Sequence, residues 1–267
     1  MRKILAVLFI FLISDISYSD DRRFTYTYES STLAKNEKDL EIWTTYKGSR
    51  ETFYSVFENR LEYEVGLTNK LQTAFYLNTK NVTQANSTTG AYDTKFEFKG
   101  ISSEWKYQVL NKYRDGIGFA PYLELGLNTD EIKLEAKLIA DKQISKKFLI
   151  AFNAVGEYEW EYNPSPTPTS KKFEMEFDLG LAYDVSSDFS VGIEARSHTE
   201  YPNGQGSIFS SFYAGPNFSY RSEGWFMACT YLPQLPAIQR SVNDPTSVLV
   251  LDEQERNLVR LILGFTL

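Results

Sequence analysis

The last thirteen residues, Glu255–Leu267 (ERNLVRLILGFTL), constrain the fold most. Counting back from the C-terminus, Leu267, Phe265, Leu263, Leu261 and Val259 share one face, and Thr266, Gly264, Ile262 and Arg260 share the other. This is a strand of period two whose apolar face is nearly long enough to cross a bilayer. A chain that ends on such a strand is expected to be an outer-membrane β-barrel, because the final strand can seal the cylinder against the first.

The preceding sequence repeats the pattern. In Phe53–Thr68, Leu61, Tyr63, Val65 and Leu67 point one way and Arg60, Glu62, Glu64 and Gly66 the other. Asn59 shares the apolar parity, so a bulge or a register slip is expected there. In Phe148–Asn163, Ile150, Phe152, Ala154, Tyr158, Trp160 and Tyr162 oppose Asn153, Glu157, Glu159 and Glu161. About 12 such strands follow Leu40, an even number as in single-chain bacterial barrels. The outward sets carry almost no charge, which the solvent face of a secreted β-sandwich would not allow.

Connections alternate in length. Short ones lie at Asn69-Lys70, Asn111–Gly116, Ser145–Lys147, Asp184–Asp188 and Arg221–Gly224. Longer ones include Gln84–Tyr92, the proline-rich Pro164–Ser170 and Ala237–Gln254. Short turns are expected on the periplasmic side and long loops outside. Tyr107, Phe148, Tyr183, Phe189, Tyr220, Trp225 and Phe265 flank the short turns, and Tyr158, Trp160 and Tyr162 a long loop. Two interfacial girdles are therefore expected.

Composition agrees. Aromatics make up 15% of the chain while mean hydropathy is −0.35, the balance that alternating lipid-facing and lumen-facing residues produce. No internal run is long enough for a spanning helix. Cys229 is the single cysteine, which excludes an internal disulfide. At the N-terminus, Arg2 and Lys3 precede the apolar run Ile4–Ile13, and Ser17-Tyr18-Ser19 offers a small-x-small cleavage site. Residues 1–19 are expected to be a signal peptide. Its loss takes the formal charge from −7 to −8, which argues against nucleic acid as a partner. Residues 20–38 include Arg22–Ser30, where Phe24, Tyr26 and Tyr28 alternate. They would make a thirteenth strand, so they are expected to form a periplasmic extension or a lumen plug, leaving 39–267 as the barrel.

The chemistry lies on the inward parity. Across the Pro164–Ser170 loop, a constant index sum pairs Glu161 with Glu174, Glu159 with Glu176 and Glu157 with Asp178. Like charges directly opposite destabilise a sheet unless something neutralises them. The same arithmetic puts Lys133 beside Glu157, Arg196 beside Glu176 and His198 beside Glu174, with Arg260 a further lumenal cation. This ladder reads as a stiffening salt-bridge network, a cation-attracting constriction, or a divalent-ion site of hard oxygen ligands. So much charge in about 12 strands implies a narrow or closed lumen. His198 is the only histidine, and one His with one Cys makes no zinc cluster. A lipid-acting enzyme would need its histidine at the lipid face, whereas parity sends His198 inward. No catalytic residue, metal or cofactor is expected.

The strings TYTYESSTLAKNEKDLEIWTT (Thr25–Thr45), NRLEYEVGLTNKLQTAFYL (Asn59–Leu77), GISSEWKYQVLN (Gly100–Asn111), YAGPNFSY (Tyr213–Tyr220), LPQL (Leu232–Leu235) and the closing ERNLVRLILGF resemble a family of uncharacterised Gram-negative outer-membrane barrels. That family is distantly similar to transporters of the phenol-degradation (MetA-pathway) type. The resemblance implies the fold and the bacterial outer membrane, and it carries no site residues to transfer. Assembly signals in this class usually end in Phe, whereas this chain ends Phe265-Thr266-Leu267. Leu267 keeps the apolar parity, so insertion by the barrel-assembly machinery through the C-terminal strand is still expected. Outer-membrane lipid is the other expected partner. The functional expectation is a narrow, cation-preferring barrel for small solutes. The alternative is a sealed structural or surface-interaction barrel.

Overall fold

Period-two alternation dictates a wall with one apolar and one polar side, and closure removes the edges. The computed structural model describes residues 22–86, 89–162 and 170–267. Their strands are β1 (Lys38–Gly48), β2 (Tyr54–Thr68), β3 (Leu71–Ala85), β4 (Tyr92–Tyr107), β5 (Gly118–Asn128) and β6 (Glu131–Ser145), then β7 (Phe148–Glu161), β8 (Ser170–Asp184), β9 (Phe189–Pro202), β10 (Phe209–Ser222), β11 (Trp225–Gln239) and β12 (Asn257–Thr266). They form one closed antiparallel barrel in sequence order. The closing strand meets the first in continuous register, with Leu40 opposite Phe265 and Tyr46 opposite Val259. The expected signal peptide and most of the Pro164–Ser170 loop lie outside the described residues.

The outer surface is an apolar belt: Phe75, Leu138 and Ile193 are each at least 54% exposed. Such a surface is stable only against lipid. Tyr220 and Trp225 pack at the short-turn rim with ring centroids 5.4 Å apart and planes tilted by 49°. Asn59 needs neither bulge nor slip. β1 and β2 pair without interruption through Thr44 and Asn59, and the Thr44 hydroxyl donates to Asn59 Oδ1 at 3.1 Å. Each outward polar group thus satisfies the other.

The β7–β8 hairpin departs from the expected register. Glu161 faces Ser170, Glu159 faces Lys172, Glu157 faces Glu174, Val155 faces Glu176 and Asn153 faces Asp178. The expected pairs Glu161–Glu174, Glu159–Glu176 and Glu157–Asp178 do not form. The physical reason is charge: the observed register keeps one like-charged pair where the expected one stacked three, and it places the Lys172 ammonium among the carboxylates. In the neighbouring hairpins Lys133 faces Glu159, His198 faces Glu176, and Arg196 faces Asp178. The Cα register is two residues off the expected one in each, yet the side chains lean diagonally, so that Lys133 meets Glu157, Arg196 meets Glu176 and His198 lies beside Glu174 as expected.

At the short-turn end, residues 22–34 pass inside the barrel without joining the sheet. The β4–β5 connection there carries a short helix, α1 (Lys112–Asp115). Asn111 caps it by accepting from the Tyr113 amide at 2.9 Å, and Gly116 ends it at φ 78°.

Candidate functional site

The lumen divides into two levels. In the short-turn half, many inward side chains are apolar. Phe24 packs on Leu149, Ala151 and Ala182. Tyr26 packs with Tyr213, Leu232 and Leu258. Tyr28 enters a cluster of Trp43, Ala120, Tyr122, Ile139, Phe226 and Ile262. Glycines make room for the segment. A Cβ on Gly180 would lie 2.7 Å from the Phe24 ring, one on Gly118 2.1 Å from Ser30 Oγ, and one on Gly66 2.0 Å from the Ala34 carbonyl.

The segment's backbone groups have no sheet partners, so wall side chains satisfy them. Glu194 accepts from the amides of Thr25 at 2.6 Å, Tyr26 at 2.8 Å and Thr27 at 3.3 Å, and from the Thr230 hydroxyl at 2.9 Å. Asn153 accepts from the Tyr28 amide at 2.6 Å and donates to its carbonyl at 3.0 Å. Gln72 accepts from the Leu33 amide, and Asn217 donates to the Arg23 carbonyl. Glu29 and Asp141 both receive the Lys112 ammonium of α1, Asp141 at 2.9 Å. Burial alone would raise the Glu29 pKa, but Lys112 and Arg23 overcome it and hold the carboxyl at about 2.

Above the segment, toward the long loops, lies a cavity of about 670 Å³ whose lining includes Tyr26 and Tyr28. All ten residues singled out from the sequence line it: Glu157, Glu159, Glu161, Glu174, Glu176, Asp178, Lys133, Arg196, His198 and Arg260. Thirteen carboxylates and ten Lys or Arg side chains surround this cup, an excess of three negative charges when all are ionised. Their distribution is lopsided. The β6–β9 wall holds most of the carboxylates, while Lys47, Arg60, Lys80 and Arg260 sit on the facing β1–β3 and β12 wall.

Lys133 reaches Glu157 at 2.6 Å. Lys172, absent from the expected set, bridges Glu159 at 2.9 Å and Glu174 at 2.7 Å. Arg196 grips Glu176 through both its Nε, at 3.1 Å, and its terminal nitrogen, and lies 3.8 Å from Asp178. Glu161 accepts from the Ser170 hydroxyl. His198 faces the lumen, with its ring nitrogens toward Glu176 and Glu174. Arg260 stands away from the ladder. It donates to Thr45 Oγ1 at 2.9 Å and to the Thr25 carbonyl at 3.2 Å, and its guanidinium lies 3.9 Å from the Tyr26 ring centre. Together with Lys137, 4.2 Å from the Tyr28 ring centre, it clamps the floor by cation–π contact.

Glu194, Asn153, Asp141 and Gln72 were not singled out from the sequence. The sequence carries one signal for them, apolar residues at inward parity near the short turns (Ile139, Leu149, Ala151, Ile262); that Glu194 faces Gly180 and Gly215 is visible only in the register. Apolar positions and gaps on a lumenal face imply something apolar within.

The DUF6662 family, a family of unknown function, matches residues 16–267. No curated protein matches the chain. Among solved structures, an outer-membrane channel from Pseudomonas putida F1 is similar with a TM-score of 0.63 and 10% identity, over 89% of this chain and 98% of that one. The NanC porin gives 0.55 and 13%, over 85% and 100%. The beta domain of the Bordetella autotransporter BrkA gives 0.55 and 7%, over 87% and 100%. At these identities the likeness is one of fold, that of bacterial outer-membrane β-barrels.

Proposed function

The chain belongs to the DUF6662 family, and we propose that it is a gated outer-membrane channel that admits small cationic solutes from the long-loop side. The observation that carries this reading is the acid-rich cup with the N-terminal segment as its floor. A lumen lined by carboxylates favours cations at the mouth, and the buried segment acts as a plug that must shift for passage. Two of the solved barrels of similar fold are an outer-membrane channel and a porin, which is consistent with this use of the fold. The phenol-degradation likeness would suggest an aromatic cargo; the charged cup favours a polar or cationic one. In this reading lipid contacts the apolar belt, and β12 is the segment the assembly machinery engages.

The test is conductance of the refolded full chain in a planar bilayer under a salt gradient. Low current is expected from the intact chain. Larger, cation-selective current is expected when residues 20–34 are deleted or Glu194 is replaced by Ala in the full chain. Glu159→Gln/Glu176→Gln should then weaken the selectivity. Anion selectivity would sink the proposal. A second reading, a sealed scaffold, is favoured by the bonds that fix the segment, and it predicts no current from any folded variant.

A further inference from the structure

We propose that Glu174, His198 and Glu200 form a binding site for a divalent transition-metal ion of the zinc class, with Glu176 positioning the imidazole. The inference does not depend on whether the barrel conducts. Adjacent inward positions on β8 and β9 form a square: Glu174 faces Glu200, and Glu176 faces His198. Each of Glu174, His198 and Glu200 offers one ligand atom, and these three atoms lie within 4.8 Å of one another.

The square is more than a cluster of acids. His198 Nδ1 lies 2.8 Å from Glu176 Oε1, and Glu176 is itself gripped by Arg196. A carboxylate on one ring nitrogen fixes the tautomer that leaves the other nitrogen's lone pair available, the arrangement found behind metal-bound histidines. That other nitrogen, Nε2, points at Glu174 Oε2 from 3.8 Å. The gap is too long for a hydrogen bond. It is close to the spacing of about 3.4 Å that two bonds of about 2.0–2.1 Å span around a tetrahedral ion. His198 itself is nine-tenths buried, which keeps its ring in place.

Charge points the same way. Glu174 and Glu200 are directly opposed carboxylates. Lys172 bonds the other oxygen of Glu174, Oε1, at 2.7 Å, but stands 4.0 Å from Glu200 and is shared with Glu159. Lys172 thus leaves Glu174 Oε2 and Glu200 incompletely neutralised beside an imidazole. A divalent ion would complete the balance while Lys172 keeps its bond to Oε1. Three protein ligands leave a fourth position facing the cup. The imidazole selects zinc-like ions over calcium or magnesium, which favour oxygen-only shells.

His198 is the only histidine in the chain, so its chemistry can be read without ambiguity. The test uses the refolded full chain in detergent at neutral pH, titrated with Co²⁺ and then Zn²⁺. One equivalent of Co²⁺ should bind with the visible absorption of a four-coordinate site, and Zn²⁺ should displace it while excess Ca²⁺ does not. His198→Gln should abolish that absorption. Glu176→Gln should weaken affinity by about 10–100-fold, the usual loss for a partner behind a metal ligand. In the wild type, Zn²⁺ should protect His198 from diethyl pyrocarbonate, a readout that needs no variant. Absence of a stoichiometric equivalent, displacement by Ca²⁺, binding unchanged in a folded His198→Gln barrel, or no protection of His198 would each overturn the proposal.

Discussion

The two halves of the lumen are built from the same strands and use their polar groups in opposite ways. In the short-turn half, Glu194, Asn153, Gln72 and Asn217 spend their hydrogen bonds on the backbone of residues 22–34. In the long-loop half, the charged side chains bond to one another along the wall of the cup: Lys133 to Glu157, Lys172 to Glu159 and Glu174, Arg196 to Glu176. A buried carboxylate receiving three amides cannot change partners without leaving unsatisfied donors. A carboxylate that lines the cup can exchange its ammonium for another cation without stranding a backbone donor. The lower half is therefore suited to holding and the upper half to exchanging.

The largest break in that contrast should come from Glu194→Ala. Three buried amides would lose their acceptor at about 1–3 kcal/mol each, so the docked segment should weaken by about 5 kcal/mol. Hydrogen exchange over residues 22–34 should accelerate while the strand amides stay protected; unchanged exchange would refute the anchoring role of Glu194.

Phe24→Ala should cost about 3–4 kcal/mol, because it empties a pocket walled by Leu149, Ala151 and Ala182. Limited proteolysis of the segment reads this loss, and Gly180→Ala should produce a milder version by crowding the same ring.

Acid should act on the lower half through Glu29. Its carboxyl is held at about 2, below the ordinary carboxylate value of 4.5, so the docking it supports is complete above that ordinary value and is lost as pH falls toward 2. The difference corresponds to about 3 kcal/mol at most. The Glu29 share of segment protection should be constant from neutral pH to about pH 5 and decline below it, and the difference between wild type and Glu29→Gln isolates that share.

The smallest effect belongs to the cup. Lys47→Gln removes a pair with Glu58 whose side chains are 27% and 38% exposed at the cup, and should change barrel stability by about 1 kcal/mol or less, measured by urea unfolding in detergent. A loss of several kcal/mol would show that the upper network also holds the wall together.

Much of the wall was legible in advance. The strand near Leu61 and the one ending at Leu267 could be placed face by face, because a side-chain period of two with lipid on one side leaves a single assignment. Asn59 misled because parity cannot show that Thr44 stands beside it. Parity identifies the ladder residues, but the index sum places facing partners four residues off across the β7–β8 hairpin and two residues off in the hairpins beside it. An index sum depends on where the chain reverses, and the proline-rich loop gives no signal for that. Lys172 shows the cost of the error: it belongs among the carboxylates only in the observed register.

By itself the sequence determined the number of strands, their two faces, the closing role of β12 and the inward placement of all ten charged residues. These follow from local alternation, which each strand carries alone. Only the tertiary structure decided the β7–β8 pairing and brought Lys172 to Glu159 and Glu174, because that depends on register between strands. Only it decided where residues 22–34 lie, because their partners Asp141, Asn153, Glu194 and Asn217 come from four separate strands. The grouping of Glu174, His198 and Glu200 is of the same kind, a property of two strands aligned to the residue and of neither strand alone.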